Sequence, residues 1–316
     1  MVPAHPQNGS CLSRKIVPVV RATEPNVSIF GVEECSDKTE FHLNAETNTE
    51  LMRVAQLGSG TPEIAVVAGV HGDEPCGVRA VERLLDEQPQ VRRPVKFVIA
   101  NEAALERRVR FVDEDLNRTF PGDPNAKTHE GRLAHELAAE LEDCLTFSMH
   151  STQSHSEPFA IVNGVSETVR ELVPQLPVTA MVETSEFAEG RLFSTIETLE
   201  VECGLQGSEA AAQNADRLTR AFLTAVGALP GDTMPRELPV YRLTEVIDKH
   251  EADTYEVFAE NFTEVDAGET FAAADGEMQV AKESFYPVLM SPYGYRNVFG
   301  YAAEKIDVLA AQSAAD

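Results

Sequence analysis

No apolar run in this chain is long enough to span a bilayer. The N-terminal stretch MVPAHPQNGSCLSRK is polar and carries no hydrophobic core of the kind that directs secretion. Basic residues are scarce. Lys and Arg total 26 against 52 Asp and Glu, a formal net charge of −26, and most of the basic residues are arginine. Such a surface repels nucleic acid and anionic membranes rather than binding them. No C-x-x-C pair is present. The five cysteines, Cys11, Cys35, Cys76, Cys144 and Cys203, cannot all pair within one chain, so reduced thiols in an intracellular protein are the expectation. Internal repeats and low-complexity tracts are also missing. The reading is a cytoplasmic chain with no nucleic-acid and no membrane partner. The acidic excess points to a salt-adapted, halophilic cytoplasm in which salt screens self-repulsion; the plainer alternative is an acidic mesophilic enzyme.

What is present is a sizeable hydrophobic fraction, 43% of 316 residues, enough for one large domain or a large and a small one. From residue 62 apolar strands alternate with helical patterns. EIAVVAGV and RPVKFVIAN read as buried strands. EPCGVRAVERLLDEQ reads as a helix with Val78, Val81, Leu84 and Leu85 on one face. KTHEGRLAHELAAELED is a second helix, CLTFSMH and ETLEVEC further strands, and GSEAAAQNADRLTRAFLTAVGAL a long helix. This rhythm implies an α/β domain with a largely parallel sheet covered on both faces. Pro and Gly cluster at 228–239, and short alternating strands follow (PVYRLTEVI, TYEVFA, ETFAAA, EMQVAKES, YPVLMS). The expected organisation is an α/β domain over 1–230 and a small β-rich domain over 239–316. Within 1–60, RKIVPVVR, NVSIFGVEE and ELMRVAQLGSG read as strands or an N-terminal extension.

In such a fold, ligands gather where strand C-termini meet the following loops. His71 and Glu74 follow the first strand, RFVDEDLNRTF follows the second, His150 sits after CLTFSM, and Glu202 follows LEV in ETLEVEC. Two imidazoles and a carboxylate with an open fourth position form a known catalytic zinc set. A bound water then needs a base that does not touch the metal, and Glu202 is the candidate, since a carboxylate in a buried strand is unfavourable unless paired or functional. Arg110, Asn117 and Arg118 suit a carboxylate or a developing oxyanion; the competing reading pairs the arginines with Asp113, Glu114 and Asp115. His155 is the closest rival ligand. His5, His42, His129, His135 and His250 read as surface or structural residues. Cys76 and Cys203 adjoin the proposed ligands, but no histidine is tied to either by motif.

GVHGDEPCG, RFVDEDLNRTFPG, MHST and VECGLQG, in this order, resemble the succinylglutamate desuccinylase/aspartoacylase family, within the wider zinc carboxypeptidase-like group. The resemblance runs from about Ile64 to Tyr301. It implies a mixed α/β sheet of carboxypeptidase type flanked by helices, with a small β-rich C-terminal domain that shapes the entrance. By motif position it implies His71, Glu74 and His150 as ligands of one zinc ion per chain. Glu202 would activate the water and return the proton to the leaving amine, and Arg110 would stabilise the oxyanion. Asn117 and Arg118 would bind a substrate carboxylate, and Tyr295, in YPVLMSPYGYR, would reach the substrate. Two departures stand out. Asp73 replaces a common asparagine, and the arginine that aspartoacylases carry upstream of the base has only Arg191 near its place. The activity implied is zinc-dependent hydrolysis of a small N-acyl amino acid, by a monomer or a homo-oligomer. The alternatives are a zinc carboxypeptidase acting on peptides and a non-catalytic binding protein that keeps the fold.

Overall fold

IAVVA and FAIV form strands in which every residue is buried, as continuous apolar runs do when a sheet is covered on both faces. The computed structural model describes residues 44–48, 51–184 and 187–310. Its elements begin with β1 (Asn44–Asn48), β2 (Arg53–Leu57), β3 (Ile64–Ala68), α1 (Cys76–Glu87), β4 (Val95–Ile99) and α2 (Glu102–Arg107). Next come α3 (His129–Glu140), β5 (Leu145–Thr152), β6 (Phe159–Val162), α4 (Glu167–Leu172), β7 (Met181–Glu183), β8 (Thr198–Leu205) and α5 (Glu209–Ala225). The C-terminal part is all strand: β9 (Leu238–Asp248), β10 (Tyr255–Val257), β11 (Thr270–Ala274), β12 (Glu277–Val280), β13 (Tyr286–Val288) and β14 (Val298–Leu309).

Eleven strands form one mixed sheet in the order β1-β2-β4-β3-β5-β8-β6-β7-β9-β14-β13. The pairs β4–β3, β3–β5 and β5–β8 at its centre are parallel, whereas β2–β4, β8–β6 and β9–β14 are antiparallel. Helices cover both faces, and the alternation along β3 shows how. Ile64, Val66 and Ala68 pack with Val81 and Leu84 of α1 and Leu218 and Phe222 of α5. Ala65 and Val67 pack with Leu133 and Leu137 of α3 on the opposite face. Strands β10, β11 and β12 make a separate antiparallel sheet.

Several boundaries differ from the sequence expectation, for physical reasons. Strands β5 and β8 continue past the polar residues expected to end them: His150 and Glu202 lie inside the ladder, paired in parallel register. Strands β6 and β7, four and three residues long, are too short to show a period. Across the Pro/Gly cluster the sheet continues, because β9 pairs in parallel with β7. ELMRVAQLGSG supplies β2, antiparallel to β4, while RKIVPVVR and NVSIFGVEE lie outside the described residues. Among the described residues no helix is long and apolar enough to cross a membrane.

The central contact between sheet and helices is aromatic. Phe147 of β5 stacks on Phe222 of α5 with ring centroids 4.6 Å apart and planes 11° from parallel, both fully buried. Phe147→Ala removes this stack and leaves a cavity, so urea unfolding is expected to show a loss of about 3–5 kcal/mol. A loss below about 1 kcal/mol would mean that the layers repack without it.

Candidate metal centre

The turn from β3 into α1 is tight because it must pass under α2. A Cβ on Gly72 would fall 2.1 Å from the carbonyl carbon of Ala104, so only glycine fits. The turn closes with the Glu74 backbone N–H donating to the His71 carbonyl at 3.3 Å, which brings both side chains inward. Glu74 then bridges two imidazoles. His71 Nδ1 lies 2.9 Å from its Oε1 and His150 Nδ1 lies 3.2 Å from its Oε2. The Ser151 backbone N–H donates to Oε2 at 3.0 Å. All three side chains are buried, and one donor atom from each lies within 4.8 Å of the others.

The far nitrogen of each imidazole is also held. His71 Nε2 meets Asp115 Oδ1 at 3.1 Å. His150 Nε2 meets Ser148 Oγ at 3.3 Å and Glu200 Oε2 at 3.6 Å. A carboxylate near Nε2 of each ring can accept an Nε2–H, which would leave Nδ1 to face a cation once the proton it shares with Glu74 is displaced, as metal-ligating histidines require. The donor set fits a divalent cation of borderline softness.

Parallel register sets Glu202 beside His150 and Glu200 beside Ser148. With a period of two, all four side chains leave the same face of the sheet. Glu202 is buried, lines the cavity and has its Oε2 without a hydrogen-bond partner among the described residues. Burial, together with repulsion from Glu74 and Glu200, pushes its pKa up to about 8. Burial alone would lower the pKa of His150, but Glu200, Glu74 and Glu202 outweigh it and push it up to about 9. Glu74 shows the mirror case: burial opposes its charge, yet His71 and His150 hold it well below the carboxylate range.

The opposite wall is the 110–118 loop, and a buried carboxylate from α3 shapes it. Glu130 accepts the backbone N–H groups of Val112, Asp113 and Glu114 at 2.6, 3.0 and 3.3 Å, and Asn101 Nδ2 at 3.0 Å. The loop so held presents Arg110 to Asp115 and to Glu74 Oε1, the latter at 3.2 Å. Asn117 accepts from the Leu192 backbone N–H at 3.0 Å and donates to Glu200 at 3.1 Å. Arg118 donates to the Asn117 carbonyl. Gly190, at φ +74°, lets the next segment approach: a Cβ there would fall 2.4 Å from the Arg118 carbonyl oxygen. Arg191, buried, follows at once and stands 3.9 Å from Glu200 Oε1. Tyr295 from the C-terminal region closes the rim.

All eight residues expected at the site thus line one cavity of about 600 Å³, open mouth included. His5, His42, Cys11 and Cys35 lie outside the described residues. The His155 ring packs on Phe262 at 5.1 Å, and His129 Nε2 meets Asn101 at 3.1 Å. Cys76 and Cys203 are buried, the Cys76 thiol donating to the His150 carbonyl. Glu200 and Glu130 were not anticipated. The E-V-E spacing at 200–202 was the available signal for Glu200, since residues two apart share a face. Nothing local marks Glu130, whose partners lie 16 to 29 residues away.

Comparison with known proteins agrees with the fold. A mixed sheet with helices on both faces and an antiparallel C-terminal region is the fold of a succinylglutamate desuccinylase/aspartoacylase from Rhodobacter sphaeroides. That structure superposes with a TM-score of 0.67 at 18% identity, over 81% of this chain and 90% of that one. Residues 60–189 match the family model described as the succinylglutamate desuccinylase/aspartoacylase catalytic domain. A succinylglutamate desuccinylase from Pseudomonas paraeruginosa is 32% identical over 119 residues, 35% of this chain and 33% of that protein. An N-acyl-aromatic-L-amino acid amidohydrolase (carboxylate-forming) from Xenopus laevis is 39% identical over 61 residues, 18% of this chain and 20% of that protein. The aligned segment spans about a third of the length of the desuccinylase. Over residues 60–189 the chain is thus similar to the catalytic domain of the succinylglutamate desuccinylase/aspartoacylase family.

The electrostatics set the direction of a pH effect. His150 and Glu202 both bind protons more tightly folded than unfolded. Their stabilisation is full below their ordinary values, 6.5 and 4.5, and is lost as pH rises through about 9 and about 8. Metal-stripped protein is therefore expected to lose stability to urea between pH 6.5 and 9, and Glu202→Gln to flatten that slope. Stability that rises across this window would contradict the assignment.

Proposed function

We propose that the chain is a zinc-dependent amidohydrolase that cleaves small N-acyl amino acids into a carboxylate and an amine. One observation carries the reading. His71, Glu74 and His150 share a focus, and the register partner of His150 is a buried glutamate with an oxygen unpaired among the described residues, on the same cavity. Zinc, when bound by these three side chains, supplies a Lewis acid for the scissile carbonyl and lowers the pKa of water. A cation held by these ligands would favour ionised Glu202, which then accepts a proton from the attacking water and returns it to the leaving nitrogen. Arg110 places a guanidinium beside the ligands, where negative charge develops on the carbonyl oxygen. Arg118, with Asn117 beside it, holds the substrate carboxylate and orients the amide. Tyr295 stays protonated, because burial raises its pKa, and so offers a hydroxyl donor at the rim.

The interior room of the cavity is only about 60 Å³, which favours a small molecule over a threaded polypeptide and so this reading over a carboxypeptidase. The net charge of −26 supports a salt-adapted cytoplasmic enzyme, so assays belong in concentrated salt. Glu202→Gln is expected to keep its bound metal and lose turnover by about 10³-fold. The check is kcat on N-acetyl, N-formyl and N-succinyl amino acids beside metal content. Retained turnover would remove Glu202 as the base, and cleavage of peptides but not of N-acyl amino acids would favour the carboxypeptidase.

A further inference from the structure

Three guanidinium groups line the cavity, and they are not equally free. Arg110 is taken by two carboxylates: its Nε and Nη2 lie 3.1 and 3.0 Å from Asp115, and its Nη1 lies 3.2 Å from Glu74. Arg191 is 5% exposed and faces Glu200, 2% exposed, at 3.9 Å. The Phe193 ring packs 5.6 Å from the same guanidinium. Arg118 alone among the three has, among the described residues, no side-chain hydrogen bond or ion pair to a carboxylate; it donates to the Asn117 carbonyl.

Glu200 decides this difference. It extends from β8 on the same face as Glu202 and is held by Asn117 Nδ2 at 3.1 Å and His150 Nε2 at 3.6 Å. A buried carboxylate so anchored does not swing away, and a buried arginine beside it is neutralised rather than left to bind an incoming anion. From this pairing we infer that Glu200 is a specificity-determining residue, which restricts the site to substrates bearing one carboxylate and a neutral side chain and acyl group. A second carboxylate directed at Arg191 would meet Glu200 in a poorly solvated space, and repulsion of this kind discriminates against a ligand without weakening the preferred one. The inference rests on the hydrolase reading for the substrate class, but its test does not depend on turnover.

Calorimetric titration of zinc-loaded Glu202→Gln protein with N-acetyl-L-alanine, N-acetyl-L-aspartate and N-succinyl-L-glutamate reads the selectivity directly. The mono-carboxylate is expected to bind tighter by roughly tenfold or more. Adding Glu200→Gln, which keeps an acceptor for Asn117 and removes the charge, is expected to shrink or invert that ratio. Adding Arg191→Met as well is expected to erase the gain for the dicarboxylate. Wild-type kcat/KM on the same compounds should follow the same order. Tighter binding of N-acetyl-L-aspartate, no binding of any of the three, or a ratio unmoved by Glu200→Gln would each overturn the inference. Selective binding of N-acetyl-L-alanine with no cleavage by wild type would sink the hydrolase reading alone. Cleavage with a preference for aspartate would sink this inference alone.

Discussion

Everything around the cavity is organised by one buried carboxylate. Glu74 sits between His71 Nδ1 and His150 Nδ1 at 2.9 and 3.2 Å, out of water and without room to leave. A lone carboxylate there would be strongly disfavoured. Positive charge must be present, either as a proton shared with an imidazole or as a cation taking that proton's place. The raised proton affinity of His150 and the depressed one of Glu74 are two views of the same demand. A metal ion satisfies it without a proton.

The sheet supplies the rest. Parallel pairing of β5 and β8 sets His150 beside Glu202 and Ser148 beside Glu200, so ligand candidate, base candidate, Glu200 and Ser148 share one face. A slip of one residue between these strands would send one pair to the opposite face, into the layer where Phe147 and Val201 pack. The core and the site therefore enforce the same register. Glu130 acts in the same way from α3, fixing the loop that carries Arg110 and Asp115 with backbone hydrogen bonds rather than packing.

Much of this was legible beforehand, and the reasons differ by residue. The turn of His71 and Glu74 reads locally, because an apolar strand ends there and an amphipathic helix begins. His150 and Glu202 read as chemistry because each interrupts an apolar run. Arg110 and Arg118 left two readings open. The structure divides them: Arg110 is paired with Asp115 and Glu74, while Arg118 is not tied in the same way. Arg191 could not be placed by spacing, since its position depends on the close approach of Gly190 to Arg118, a contact between segments more than 70 residues apart. Glu200 was hidden by its neighbour: in LEVEC one carboxylate drew attention and the other, two residues earlier on the same face, did not. Strands β6 and β7 were missed because three or four residues carry no period.

The central claim is that Glu74 and the two histidines form one metal site. Elemental analysis of wild type and Glu74→Gln, each dialysed against a trace of zinc in concentrated salt, tests it most directly. One equivalent of zinc per chain in wild type, and well under a tenth of that in a folded Glu74→Gln protein, is the predicted result. Equal zinc in both proteins, or none in wild type at neutral pH, would contradict it.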